Sequence, residues 1–228
     1  VFMIVSGERR SQRVLAAAEL EPDGYLLKPF TGEQLRVRLD RAMRRRESFR
    51  CVDDALKQND LLVAINSCNE RISDGDEFAL DFMRLRGTLS LKIGDYLSAK
   101  SLYEEVMAIK AQPWAQLGLA KSLTQLKQYD EAKVMFDEVL SKNGRVMEAY
   151  DWLAKLHEAQ NDMAAAQETL ENAVQLSPLA IRRQKELAEV AVQNHDYDTA
   201  ERALKKTIDV AKYSVYRAVE DYAALARV

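Results

Sequence analysis

The side chains that most often carry chemistry are few and scattered in this chain. Its only histidines are His157 and His195, and its only cysteines are Cys51 and Cys68. None of the four is spaced for a zinc site. No glycine-rich phosphate loop and no nucleophile motif occurs. The carboxylates are spread along helical stretches as they are on solvated faces. No catalytic residue, metal ligand or cofactor is therefore expected within the chain. One charge run stands out: Arg36, Arg38, Arg41, Arg44, Arg45, Arg46 and Arg50 fall on a single predicted helix. Such a run could touch DNA, but no helix-turn-helix or aromatic platform accompanies it. Asp40 and Glu47 are placed to pair with it, so a solvated connecting helix is expected and nucleic acid is not an expected partner.

The elements that must position any site follow from composition. With 47% hydrophobic and 30% charged residues, the chain is expected to fold as a soluble globular protein. Eight glycines and four prolines in 228 residues are too few for the turns of an all-β protein, which favours helices with short connections. No apolar run approaches the roughly 18 residues of a membrane span. The N-terminal apolar run, Val1–Val5, is too short for a signal-peptide core. Two cysteines cannot form a disulfide framework, so reduced thiols in the cytoplasm are expected. Charge is uneven: residues 1–50 hold 11 Lys/Arg against 7 Asp/Glu, and residues 51–228 hold 22 against 29. Two differently built parts are expected, and the acidic larger part argues against wrapping nucleic acid.

The larger part repeats itself. Gly94-Asp95-Tyr96, Lys127-Gln128-Tyr129, Asn161-Asp162-Met163 and His195-Asp196-Tyr197 each open a common pattern, with third residues 33, 34 and 34 apart. A weaker copy, Asn59-Asp60-Leu61, lies 35 before Tyr96. Each is a polar turn between amphipathic runs. After it, Ala99 and Tyr103, Ala132 and Phe136, Ala166 and Leu170, and Ala200 and Leu204 share helix faces. Before it, Gly87, Ala120, Ala154 and Ala188 are small enough for two helices to approach closely. Leu119, Leu153 and Leu187 precede three of these.

This pattern resembles the tetratricopeptide repeat (TPR), a helix–turn–helix unit of about 34 residues. Tyr150, Leu153, Ala154, Met163, Ala166, Ala173 and Pro178 fall at the family's positions. In the preceding unit Gln116 stands where Trp or Tyr is usual, and Val139 and Gly144 replace the late Ala and Pro. Cys51, Val52, Ala55, Ala64 and Cys68 match a first unit. Ser214–Val228 reads as a final helix, either a cap or half of another repeat. The resemblance implies a TPR-type α-solenoid of about five helical hairpins over residues 47–228, binding a protein or peptide in its concave groove. The family's inward positions fall on Arg84, Thr88, Lys121, Gln125, Asp151, Lys155, Arg182, Lys185 and Glu189. Both signs are present, and Thr88, Lys121, Lys155 and Glu189 stand where a carboxylate clamp would repeat Asn. Such a clamp is not expected. Trp152 falls where repeat cores place aromatics, and Trp114 opens a helix.

Residues 1–46 follow a different grammar. Val1–Val5 reads as a strand buried on both faces, Ser11–Leu20 as a helix, Pro22-Asp23-Gly24 as a turn and Tyr25–Leu27 as a second strand. Thr31 can cap a helix from about Glu33 that carries Leu35, Leu39 and Met43 on one face. Without Pro or Gly, that helix is expected to run on to about Gln58 as a rigid lever. Strand–helix–strand–helix is the end of a parallel α/β domain.

Ser6-Gly7, followed by Gly24-Tyr25-Leu26-Leu27-Lys28-Pro29-Phe30, resembles the last third of a response-regulator receiver domain, a flavodoxin-like α/β fold. The resemblance implies that Ser6 hydrogen-bonds an aspartyl phosphate, that Tyr25 swings inward on activation, and that Lys28 pairs with the phosphoryl group. It also implies a cis bond before Pro29. A hydroxyl and a cation at neighbouring strand ends suit one dianion. A whole receiver has about 120 residues, within the usual domain range. Its phosphoacceptor Asp and the acidic pair that holds Mg²⁺ belong to strands before Val1. The expectation is a fragment of a longer protein that does not itself accept phosphate. Its first strand, lacking those neighbours, should pair with a second chain through residues 1–30 or be disordered.

The expected whole is mainly α: a truncated receiver followed by a TPR array. The function this implies is a two-component signalling adaptor, in which a sensor kinase acts through the receiver on a protein-binding groove. The alternatives are a constitutive TPR scaffold with a vestigial receiver, or a regulator with a DNA-binding or catalytic output beyond Val228.

Overall fold

The structure, a computed structural model, describes residues 2–7, 24–212 and 216–228. Strands β1 (Met3–Ser6) and β2 (Gly24–Leu27) pair in parallel, with Met3 opposite Gly24 and Ser6 opposite Leu27. The expected helix at Ser11–Leu20 and the turn residues Pro22 and Asp23 lie outside the described residues, while Gly24 opens β2. β1 is not buried on both faces: Val5 is 40% exposed and Phe2 beside the strand 52%. With β2 its single partner among the described residues, it gains too little cover for that. The Lys28–Pro29 peptide is cis. Thr31 caps α1 (Gly32–Ser48) in a capping box: its hydroxyl accepts from the Gln34 N–H, and the Gln34 side chain accepts from the Thr31 N–H.

The expected continuous lever is interrupted. α1 ends at Ser48 and α2 (Arg50–Lys57) begins after Phe49. No Pro or Gly causes this. Phe49 is 4% exposed and stacks on Phe82, ring centroids 3.9 Å apart, and the Arg45 guanidinium lies 4.3 Å from the Phe49 centroid. Burial of that ring in the first helical core is what the junction serves.

Beyond α2 follow α3 (Leu61–Ser73), α4 (Ala79–Lys92), α5 (Tyr96–Ile109), α6 (Pro113–Gln125), α7 (Tyr129–Lys142), α8 (Met147–Ala159), α9 (Met163–Leu176), α10 (Ile181–Gln193), α11 (Tyr197–Ala211) and α12 (Val219–Leu225). They form helical hairpins joined by one turn design. Asn59, Gly94, Lys127, Asn161 and His195 all adopt positive φ, between 57° and 82°. The next residue's N–H then donates back to Ala55, Ser90, Leu123, His157 or Ala191 at 2.9 Å. This is the left-handed termination that satisfies the last carbonyls of a helix. Asp60, Asp95, Asp162 and Asp196 then cap the following helix, accepting from Val63, Ser98, Ala165 and Thr199 N–H groups. The weakest copy in the sequence, at Asn59-Asp60, has the same turn as the others.

The described chain divides into two units, one up to Met135 and the other from Phe136. In the first, Phe49, Val52, Ala55, Ala64, Cys68, Phe78, Phe82 and Leu89 form one core, and Ala99, Tyr103, Val106 and Ala115 a second. The Tyr103 ring fills the space over two glycines. A Cβ on Gly87 would lie 2.5 Å from it, and one on Gly118 2.3 Å. In the second unit, Ala154, Ala166, Leu170, Leu187, Ala188, Val190, Ala203 and Leu204 form the core. The final helix is shorter than expected from Ser214: it begins at Val219, after Ala218 in an extended conformation. Ala224 and Leu225 pack it onto the core of the second unit.

Candidate functional site

At the front end, Ser6 and Leu27 stand opposite each other at the ends of parallel strands, and Lys28 follows directly. The Lys28 N–H donates to the Ser6 carbonyl at 2.9 Å, so the two residues are neighbours. Tyr25 is half-buried on β2 beside the buried Leu26. Pro29 leads the chain toward α1. Among the described residues no group of three or more His, Cys, Asp or Glu could hold a metal ion.

Two arginines of the run, Arg44 and Arg45, fasten the helix to the segment around α4. Arg36 pairs with Asp40 at 3.8 Å and Arg50 with Glu47 at 3.4 Å, as expected of a solvated helix. Sequence reasoning missed the longer reach. Arg44 bonds Glu77 at 3.0 Å, Arg45 lies 3.7 Å from Asp81, and the Ser48 hydroxyl donates to Asp76. The boundary set at residue 46 thus falls inside a helix whose last turn is tied to the segment entering α4. Asp76 is held below the usual carboxylate range, first by the Ser48 hydroxyl and then by the Phe78 N–H and Arg71, against a smaller opposing effect of burial.

The expected groove residues divide in their behaviour. In the first unit Arg84 and Thr88 are exposed on α4, Lys121 is half-buried and Gln125 exposed on α6. The Thr88 hydroxyl donates to the Arg84 carbonyl at 3.0 Å. In the second unit Lys155 and Glu189 are exposed, and the Lys155 ammonium lies 5.2 Å from the Trp152 ring centroid. Trp152 is half-buried there rather than sealed in the core.

Asp151 is not a surface residue. It is 4% exposed and accepts from Arg183 at 2.6 and 3.2 Å and from Arg182. Arg183 is 3% exposed, so this is a buried ion pair between successive helix pairs. Arg182 reaches Glu186 as well, at 3.1 Å. Lys185 bonds Asp221 of α12 at 2.6 Å. Three of the five expected groove residues in this unit are therefore engaged within the chain, and their partners Arg183 and Asp221 carried no repeat signal. Glu186 and Glu158 are both pushed above the usual carboxylate range by burial. Asp151 adds to the rise at Glu186 and Glu189 to that at Glu158, while Arg182 and Lys155 oppose it.

His195 forms a turn and His157 is buried in α8. Cys68 is fully buried and its thiol is pushed up to about 11, while Cys51 is exposed. No helix among the described residues is long and apolar enough to cross a membrane.

Residues 91–156 match one family model described as tetratricopeptide repeat, and residues 148–178 match another. Solved structures share the fold. A thermophilic TPR protein of Thermus thermophilus superposes with a TM-score of 0.63 at 13% identity, over 79% of this chain and 98% of its own. MamA from Desulfovibrio magneticus RS-1 does so with a TM-score of 0.59 at 18% identity, over 73% and 94%. A tetratricopeptide repeat protein from Parabacteroides merdae gives 0.58 at 17%, over 79% and 70%. No curated protein matches the sequence. Residues 91–178 thus carry TPR-type repeats, and the described helices share the fold of these TPR structures.

Proposed function

We propose that this chain is a two-component signalling adaptor, in which a receiver-like front end over residues 1–46 controls a TPR array over residues 47–228 that holds a protein or peptide. The observation that carries the reading is the pairing of β1 with β2. Parallel strand ends bring Ser6 and Lys28 side by side, where a hydroxyl and an ammonium can meet one phosphoryl dianion. α1 leaves this edge and is tied to the first hairpins by Arg44, Arg45, Ser48 and Phe49. A shift around Tyr25 then has a physical route into the array. The adaptor is proposed to work in the cytoplasm, a reading supported by two free thiols. The exposed Phe2, Val5 and Leu27 support pairing of this sheet with a second copy.

A receiver's Mg²⁺ needs an acidic cluster that the described residues do not supply, so the residues present do not fit the ion and no step is assigned to it. The test uses the native gene product and a small acyl phosphate. Phosphate should be incorporated, and Lys28→Ala should abolish or sharply slow this. Phosphorylation should change the affinity for the array's partner, and Tyr25→Ala should uncouple the two. No incorporation into the native product would refute the signalling role. Lys121→Glu with Lys155→Glu should weaken partner binding, and unchanged affinity would rule out the groove.

A further inference from the structure

The first two repeats carry apolar side chains where the fold has no use for them. Leu62, the second residue of α3, is 64% exposed, and Leu97, the second residue of α5, is 70% exposed. Later copies of the repeat put Asp130, Ala164 and Asp198 in that place, all exposed, so neither the core nor the turn asks for leucine there. α4 packs against both α3 and α5 through short connections, so the starts of α3 and α5 flank its end. Ile93 stands at that end, 39% exposed, and Val63 beside Leu62 is 48% exposed. Leu62, Val63, Ile93 and Leu97 thus make one apolar strip along an edge of the first unit. A contiguous strip differs from the single exposed hydrophobic residues of an ordinary surface, which need no explanation.

The strip is close to neutral. Leu61–Asn69 holds no charged residue. Asp60 and Asp95, the caps of α3 and α5, are offset by Lys92 and by Lys100, which also bonds Gln128 at 3.0 Å. Residues 51–228 as a whole hold 22 Lys/Arg against 29 Asp/Glu. Copies of an acidic array repel one another, and this strip lets two of them meet without setting like charges together.

We infer that the strip is a contact between two copies of this chain, related by a two-fold axis that lays Leu62 and Val63 of one against Ile93 and Leu97 of the other. That arrangement also brings Asp60, at the first turn of one copy, toward the exposed Lys92 at the second turn of the other, so the contact is complementary in charge as well as apolar. Four side chains per copy fall short of the roughly 800 Å² that each partner gives to a standard interface. The pairing is therefore weak and governed by concentration. It involves no residue of β1 or β2, so the inference does not rest on the receiver reading or on pairing of that sheet.

Sedimentation velocity on the full chain, from about 1 µM to about 200 µM, reads the association. The average mass should rise across that range. Leu62→Glu with Leu97→Glu, both at exposed positions, should weaken the association about tenfold or more. Leu62→Ser with Leu97→Ser, which adds no charge, should weaken it as well. A chain with Phe2→Asp and Val5→Asp, which disrupts pairing through the sheet, should still associate. Circular dichroism establishes that the variants are folded. Disulfide trapping in a Cys51→Ser background reads the two-fold arrangement: Leu62→Cys chains mixed with Leu97→Cys chains should cross-link faster than either alone. The inference is overturned if the chain stays monomeric, if the strip variants associate like the parent, if association is lost only with Phe2→Asp and Val5→Asp, or if mixed cysteine pairs form no faster than like pairs.

Discussion

Gly118→Ala puts the packing of the first unit to a sharp test. The added Cβ would lie 2.3 Å from Tyr103 Cζ and 2.5 and 2.6 Å from the two Cε atoms. Tyr103 is 2% exposed, and its ring cannot retreat toward α4, because it already sits so close to Gly87 that a Cβ there would be only 2.5 Å away. Overpacking of this kind costs about 1–3 kcal/mol, and confinement on both sides puts this site at the upper end. Against it stands the gain of about 1 kcal/mol from replacing Gly by Ala inside a helix. The net expectation is a loss of about 2 kcal/mol, read by urea denaturation with far-UV circular dichroism. Tyr103→Leu removes the obstacle, so in that background Gly118→Ala should stabilise by up to about 1 kcal/mol. The sign reversal amounts to a coupling of about 3 kcal/mol, within the range for residues in contact. If Gly118→Ala stabilises the protein with Tyr103 intact, the reasoning fails.

Asp151→Asn should cost about 3–5 kcal/mol, because it strips the buried Arg183 of its counter-charge. Arg182→Ala, at a side chain 57% exposed, should cost under about 1 kcal/mol; equal losses in thermal unfolding would contradict the division between buried and exposed arms. Phe49→Ala should cost about 3–5 kcal/mol, as the loss of a buried ring does, and should speed amide exchange in α1. Unchanged exchange would mean that the ring does not anchor that helix. The acids predict opposite responses to pH. Asp76 has a lowered folded-state value, so its contribution is present above the ordinary carboxylate value of 3.8 and lost as pH falls through the lowered one. Ser48→Ala should narrow that loss. Glu158 has a raised value, so its ionised form burdens the fold as pH rises from 4.5 through the raised value. Glu158→Gln should therefore stabilise at pH about 7 and have little effect at pH about 4; the reverse order in denaturation experiments would refute the assignment.

What could be read in the sequence was whatever repeats or is local. The spacing of Tyr96, Tyr129, Met163 and Tyr197 located four turns, and Asn59-Asp60 a fifth, because each turn is made by residues adjacent in the chain. Thr31 was readable as a cap for the same reason. Gly118 escaped notice because it occupies no slot of the motif: its need for smallness comes from Tyr103, on a different hairpin. The pairing of Asp151 with Arg183 was hidden because both types are ordinarily solvated, and burial arises only when successive hairpins stack. Phe49 interrupts a helix with good intrinsic propensity, and only the position of Phe82 supplies the reason. Asp151, Arg182 and Lys185, expected to meet a partner, are engaged by the chain itself, through residues that the repeat pattern does not mark.

The five left-handed turns have a consequence for how such a chain can change over time. Asn, Gly, Lys and His all occupy the same backbone conformation there, and the reversal is held by main-chain hydrogen bonds. The hairpin therefore accepts more than one residue type at its apex, although only Gly takes that conformation without steric cost. Units built this way behave as interchangeable parts, whose outward faces are free to diverge while the joints stay the same. Structures of 13–18% identity to this chain share its fold, and a joint held by the main chain leaves the outward faces free to vary from unit to unit.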